Sequence, residues 1–155
     1  MMTQATLYEQ ITQQRECILA LWQAAALPSK RGLAAGFSKG SHFNALSDEL
    51  LREKIDLLLE WLVSEDEPAG ARAHLREICK VKAVQVQDPS EALGFILDLK
   101  GIVRLTLEKT EEFEELDKRI DQLMLLAFNE YSECRERLTQ IRIEEIRRLK
   151  GRTTL

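Results

Sequence analysis

The residues able to do chemistry are few and scattered. The sequence holds two histidines, His42 and His74, and three cysteines, Cys17, Cys79 and Cys134, the latter about sixty residues apart and without a CxxC pair. A zinc site or a disulfide framework needs closer and more numerous ligands, so the cysteines read as small core residues. No HExxH, Walker loop, GxSxG or dinucleotide fingerprint occurs, and no Glu-x-x-His pair suggests a di-iron bundle. His42 falls in a glycine-containing stretch and reads as a solvated side chain. His74 is the one histidine set on a helix where a haem or metal could sit. The reading is therefore non-enzymatic, with no catalytic residue, cofactor or metal expected.

Composition points the same way. A chain of 155 residues, 45% apolar and 31% charged, suits a single domain with one buried core. The net charge of −4 supplies no global field for nucleic acid or an anionic membrane. The N-terminal stretch MMTQATLYEQ lacks the blocks of a signal peptide, and no apolar run is long enough to span a bilayer. The expectation is a cytoplasmic protein without membrane insertion.

The elements that must position these residues are helices. Thr6 and Glu9 form a capping box, and Leu7, Ile11, Ile18, Leu21, Trp22 and Ala25 recur at helical spacing up to Pro28. Residues 28–46, with three glycines and a proline, read as a structured loop. Ser47 is the expected cap of a second helix carrying Leu51, Ile55, Leu58 and Leu62. Pro68 suits the first turn of a third, with Leu75 and Ile78; its tail VKAVQVQ alternates like a strand, but helix is favoured because no partner strand is in view.

DPSEALGFILDLKGIVRLTLEK opens with Asp88 as N-cap, Pro89 in the first turn and Glu91 closing a capping box. Phe95, Ile96, Leu99, Ile102, Val103 and Leu107 fill one broad face, and Gly94 with Gly101 suggests a close helix approach. A last helix starts in the acidic run EKTEEFEELDKRIDQ and ends in the basic RRLKGR, each complementing the helix dipole. Leu116, Ile120, Leu123, Ala127, Phe128, Tyr131 and Cys134 read as its core stripe. From Gln122 to Lys150 it would run roughly 40 Å, so residues 135–155 are expected to project. Leu138, Ile141, Ile146 and Leu149 form a thin seam there, the expected surface for a homodimer or another protein.

VKAVQVQDPSEALGFILDLKGIVR and ELDKRIDQLMLLAFNEYSECRERLTQIRIEEIRR together resemble the RsbRD N-terminal domain family, the sensory region of stressosome-type regulators and of certain signalling kinases. The likeness runs over nearly the whole chain and is strongest from Val84 to Arg147. Ala83, Val84, Gln85, Pro89, Ser90, Ala92 and Phe95 match, as do Arg119, Ile120, Ala127, Phe128, Tyr131, Cys134 and Arg135. A Phe-x-Asn-Pro element of the family has Ala45 in place of its proline.

The resemblance implies an all-α, non-haem globin-like bundle of about five helices over residues 1–155. It also implies an input pocket around Gln85, Phe95 and Phe128. The position of the globin haem ligand is Val81, which implies a cofactor-free sensor. The function implied is a signal-input domain acting through its C-terminal helix on a separately encoded output protein. The alternative is a constitutive accessory or scaffold protein of a complex, such as a redox complex. Nucleic-acid binding is disfavoured: from Cys134 to Leu155 seven Arg or Lys face three Glu, but the helix dipole accounts for much of that excess.

Overall fold

The computed structural model describes residues 7–27, 41–64, 66–85, 88–107 and 113–153, with the side chains of 41–44 and 153 left aside. Among the described residues the protein is all-α, in six helices: α1 (Leu7–Gln13), α2 (Arg15–Ala26), α3 (Ser41–Leu62), α4 (Ala69–Gln85), α5 (Pro89–Thr106) and α6 (Phe113–Thr153). The expected first helix is thus two pieces, broken at Gln14, whose backbone (φ −101°, ψ 16°) leaves the helical region. VKAVQ is helical, as favoured, and no strand occurs among the described residues.

Helix α2 packs on α3 and α5, α3 on α4, and both α4 and α5 on α6, so that five helices close a ring around one core. The stripes Leu51, Ile55, Leu58, Leu62 and Leu75, Ile78 are buried as their spacing demands. In α2 the buried line is Ile18, Trp22 and Ala26, which continues that of Leu7 and Ile11 in α1; Leu21 and Ala25, at the edge of the stripe, face outward.

One further boundary differs from the sequence reading. Helix α3 starts at Ser41, which makes Ser47 a buried interior residue rather than a cap and removes 41–46 from the expected loop. The remainder of that loop, and Thr6, lie outside the described residues. Asp88 has the extended backbone of an N-cap and its carbonyl accepts from Ala92, but its side chain makes no capping bond. Helix α6 begins at Phe113, within the acidic run where its start was expected, and its 41 residues rise about 60 Å.

The ring is tied at its helix ends. The last carbonyls of a helix have no partner within it, and a cation from a neighbouring helix supplies one in three places. Arg119 of α6 donates to the carbonyls of Trp61, Leu62, Ser64 and Asp66 at the end of α3, at 2.9 to 3.1 Å, with its guanidinium 4.0 Å from the Trp61 ring centroid. Arg135 of α6 donates to the Ala83 carbonyl near the end of α4 at 2.9 Å. Lys82 of α4 donates to the Ala26 carbonyl at the end of α2.

Among the described residues Gly94 and Gly101 do not mark a close approach: a Cβ at either would meet nothing within 4 Å. Their φ is ordinary for a helix, so the only consequence of glycine there is entropic. Gly101→Ala is expected to raise stability by about 0.5–1 kcal/mol in denaturant titrations. Arg119→Met, which strands carbonyls at the α3 terminus, is expected to lower it by about 2–4 kcal/mol.

Candidate functional site

Two regions were expected to carry function, an input pocket at Gln85, Phe95 and Phe128 and an output surface at Leu138, Ile141, Ile146 and Leu149. The structure sets the residues of each in different surroundings.

Phe95 is buried where α2, α4 and α5 meet. Trp22 packs against it with ring centroids 6.2 Å apart and donates from Nε1 to the Phe95 carbonyl at 2.9 Å. The Lys82 ammonium lies 5.4 Å from the Phe95 ring centroid, so one buried cation serves both an aromatic face and the α2 terminus. Burial pushes that ammonium down to about 8, while Asp48 and Cys79 pull it back up. Gln85 follows one turn later on α4; its Oε1 is buried and has no hydrogen-bond partner among the described residues. Phe128 is not part of this niche. It is exposed on the outward face of α6, because the core face of that helix is held by Ala127 and Tyr131.

The sequence reading named Lys82 nowhere. Lysine is among the residues least often fully buried, and the signal that could have found it was its place in line with Leu75, Ile78 and Cys79 on α4. A second buried ionic group was missed likewise: Glu130 of α6 accepts from Arg72 at 2.6 Å and Arg76 at 3.3 Å, both on α4. Burial pushes its carboxyl up, but hydrogen bonds and charge from the two arginines outweigh this and hold it below the usual carboxylate value. Two further ion pairs, Lys100 with Asp121 and Arg104 with Asp117, fasten α5 to α6.

The cysteines divide. Cys79 and Cys134 are buried between α4 and α6, and Cys17 is exposed, against the expectation that all three lie in the core. Burial first, then the neighbouring Cys134 and Glu130, pushes the Cys79 thiol up to about 12, and its Sγ donates to the Ala127 carbonyl. A thiol so placed is unreactive. His74 is half-buried on α4, and no three His, Cys, Asp or Glu side chains converge on a metal-sized site among the described residues.

On α6 the projection starts later than residue 135. Arg135 is tied to α4, and Leu138 is half-buried against the core. From Thr139 to Arg152 every residue is exposed, over about 20 Å of helix. At about 100° per residue, Ile141 falls beside Cys134 and Leu149 in line with Tyr131, on the extension of the core face, whereas Ile146 lies about 60° to the other side of Leu149 and about 140° from Ile141. The expected seam is therefore two surfaces, an extension of the core face and an outer one. Glu145 and Leu149 with Arg148 and Arg152 line a shallow surface depression at the far end. No described helix is long and apolar enough to cross a membrane.

Compared with known proteins, the chain matches no family model, no curated protein and no solved structure.

The buried Lys82 generates a pH dependence. Its folded pKa lies below that of the unfolded chain, so between about 8 and 10.5 the unfolded state binds more protons and stability rises with pH. Cys79 acts in the opposite direction once unfolded thiols ionise above about 9. Between pH 8 and pH 9 Lys82 is expected to add about 1 kcal/mol to the stability measured by urea unfolding, offset in part by Cys79. This gain is expected to vanish in Lys82→Met.

Proposed function

We propose that the protein is a non-enzymatic helical input module that passes a change in its packing through α6 to a separately encoded protein partner. The observation that carries this reading is the continuity of α6. Its first two thirds form a wall of the core through Leu116, Ile120, Leu123, Ala127 and Tyr131, and the same unbroken helix then stands clear of the domain. A helix transmits displacement along its axis because its hydrogen bonds resist local bending, so a shift at the buried end must reach the free end. The clasps Arg119, Glu130 and Arg135 couple α6 to α3 and α4. The niche around Lys82 and Phe95 joins α4 to α2 and α5, so a change there alters the helices on which α6 rests. Ile141 and Leu149, on the extension of the core face, offer the partner an apolar strip.

The experiment is recovery of the partner from the native source with the wild type and with Ile141→Asp combined with Leu149→Asp. Both positions are exposed, so melting should be unchanged within about 0.5 kcal/mol. The expected outcome is a stoichiometric protein partner with the wild type and its loss with the double variant. Retention by the double variant, or no partner at all, overturns the reading. Hydrogen exchange then separates transmission from a constitutive scaffold: Lys82→Met should alter amide protection in 139–152 in an input module and leave it unchanged in a scaffold.

A further inference from the structure

We infer that the outward face of α6 is a self-complementary docking surface on which a second copy of the chain lies antiparallel. Four large apolar side chains on this helix are exposed away from the core: Leu125 (68%), Phe128 (51%), Ile143 (36%) and Ile146 (53%). At about 100° per residue they share one stripe within about 60° of arc. Between the two apolar pairs the stripe carries Ser132 and Thr139; at its ends it carries Asp121 and Lys150. The order along the helix is thus acid, two apolar, hydroxyl, then hydroxyl, two apolar, base.

Reversing this stripe about the point midway between Arg135 and Glu136 superimposes it on itself with its chemistry matched. Leu125 faces the second copy's Ile146, and Phe128 faces the second copy's Ile143. Ser132 faces the second copy's Thr139, and Asp121 faces the second copy's Lys150. Every pairing occurs twice, as a two-fold interface requires. The two residues of each apolar pairing sit on opposite margins of the stripe, so their side chains interleave. A parallel arrangement would set Asp121 on Asp121 and Lys150 on Lys150 and align the helix dipoles. The antiparallel one opposes the dipoles and matches the charges.

The body of the domain extends the surface. The ion pairs Lys100 with Asp121 and Arg104 with Asp117 fix α5 antiparallel to α6. That register sets the exposed Leu97, one turn before Lys100, beside Leu125. The second copy's tail would therefore meet a patch built from two helices. Charge favours the same contact: residues 139–155 hold five Arg or Lys against Glu144 and Glu145, a net +3, which leaves −7 on the rest of a chain whose total is −4. The middle of the seam is polar, with each Glu136 close to its own copy, so the two ends do the holding. The inference does not rest on the proposed output role, since Ile141 and Leu149 lie off this stripe.

The test uses the full chain with Cys17→Ser. Sedimentation velocity across a hundredfold range of micromolar concentrations is expected to show monomer and dimer in exchange. Phe128→Glu should stay folded by circular dichroism and weaken the dimer at least about 100-fold. Leu125→Cys mixed with Ile146→Cys should form a disulfide-linked dimer under mild oxidation, while neither alone should link to itself. A wild type monomeric throughout, a dimer indifferent to Phe128→Glu, or self-linking of either single cysteine variant overturns the inference. A different protein bound at this stripe in place of a second copy overturns it as well.

Discussion

A helix that ends inside a bundle leaves carbonyl oxygens facing a neighbour instead of water, and in this protein neighbouring cations answer them. Arg119 gathers four carbonyls from Trp61 to Asp66, Arg135 takes that of Ala83, and Lys82 takes that of Ala26. Each contact joins a local requirement, satisfaction of orphan acceptors at a negative helix end, to a tertiary one, the relative height of two helices. Because α6 supplies two of the three cations, its axial position is set by the ends of α3 and α4. The apolar core alone would tolerate sliding of these helices; a guanidinium held by directional bonds does not.

The same design explains the buried charges. Glu130 and Lys82 would each be costly alone in the core. Glu130 is held by two arginines of α4, and Lys82 by a carbonyl and the Phe95 ring. Lys82 is the less fully compensated, as the fall of its pKa to about 8 reflects. The niche around it therefore has an energy that responds to proton concentration. It sits at the junction of α2, α4 and α5, on one side of the helix that projects.

Helix α6 presents different chemistry on different sides. One face builds the core and runs on, past Leu138, into Ile141 and Leu149. A second carries the symmetric stripe from Asp121 to Lys150. Splitting the expected seam this way gives the helix room for two separate contacts, and substitutions on one leave the other in place.

Periodicity and punctuation determined most of the helices by local means, the stripes of α3 and α4, Pro89 at the start of α5 and the charge gradient of α6, but not the break between α1 and α2 or the first turns of α3. The projection of α6 was legible too, since a stripe that thins while charges thicken cannot be core. The position of Phe95 in the core followed from its face on α5. Only the tertiary structure decided the rest. Phe128 and Leu21 sit next to core residues in sequence, and which edge of an apolar stripe is covered depends on where the neighbouring helix lies. Gly94 and Gly101 looked like a packing motif, yet no described helix approaches either closely, since spacing along one helix says nothing of what faces it. The roles of Arg119, Lys82 and Arg135 could not be read in sequence, because the carbonyls they serve lie more than fifty residues away and no local pattern encodes that pairing.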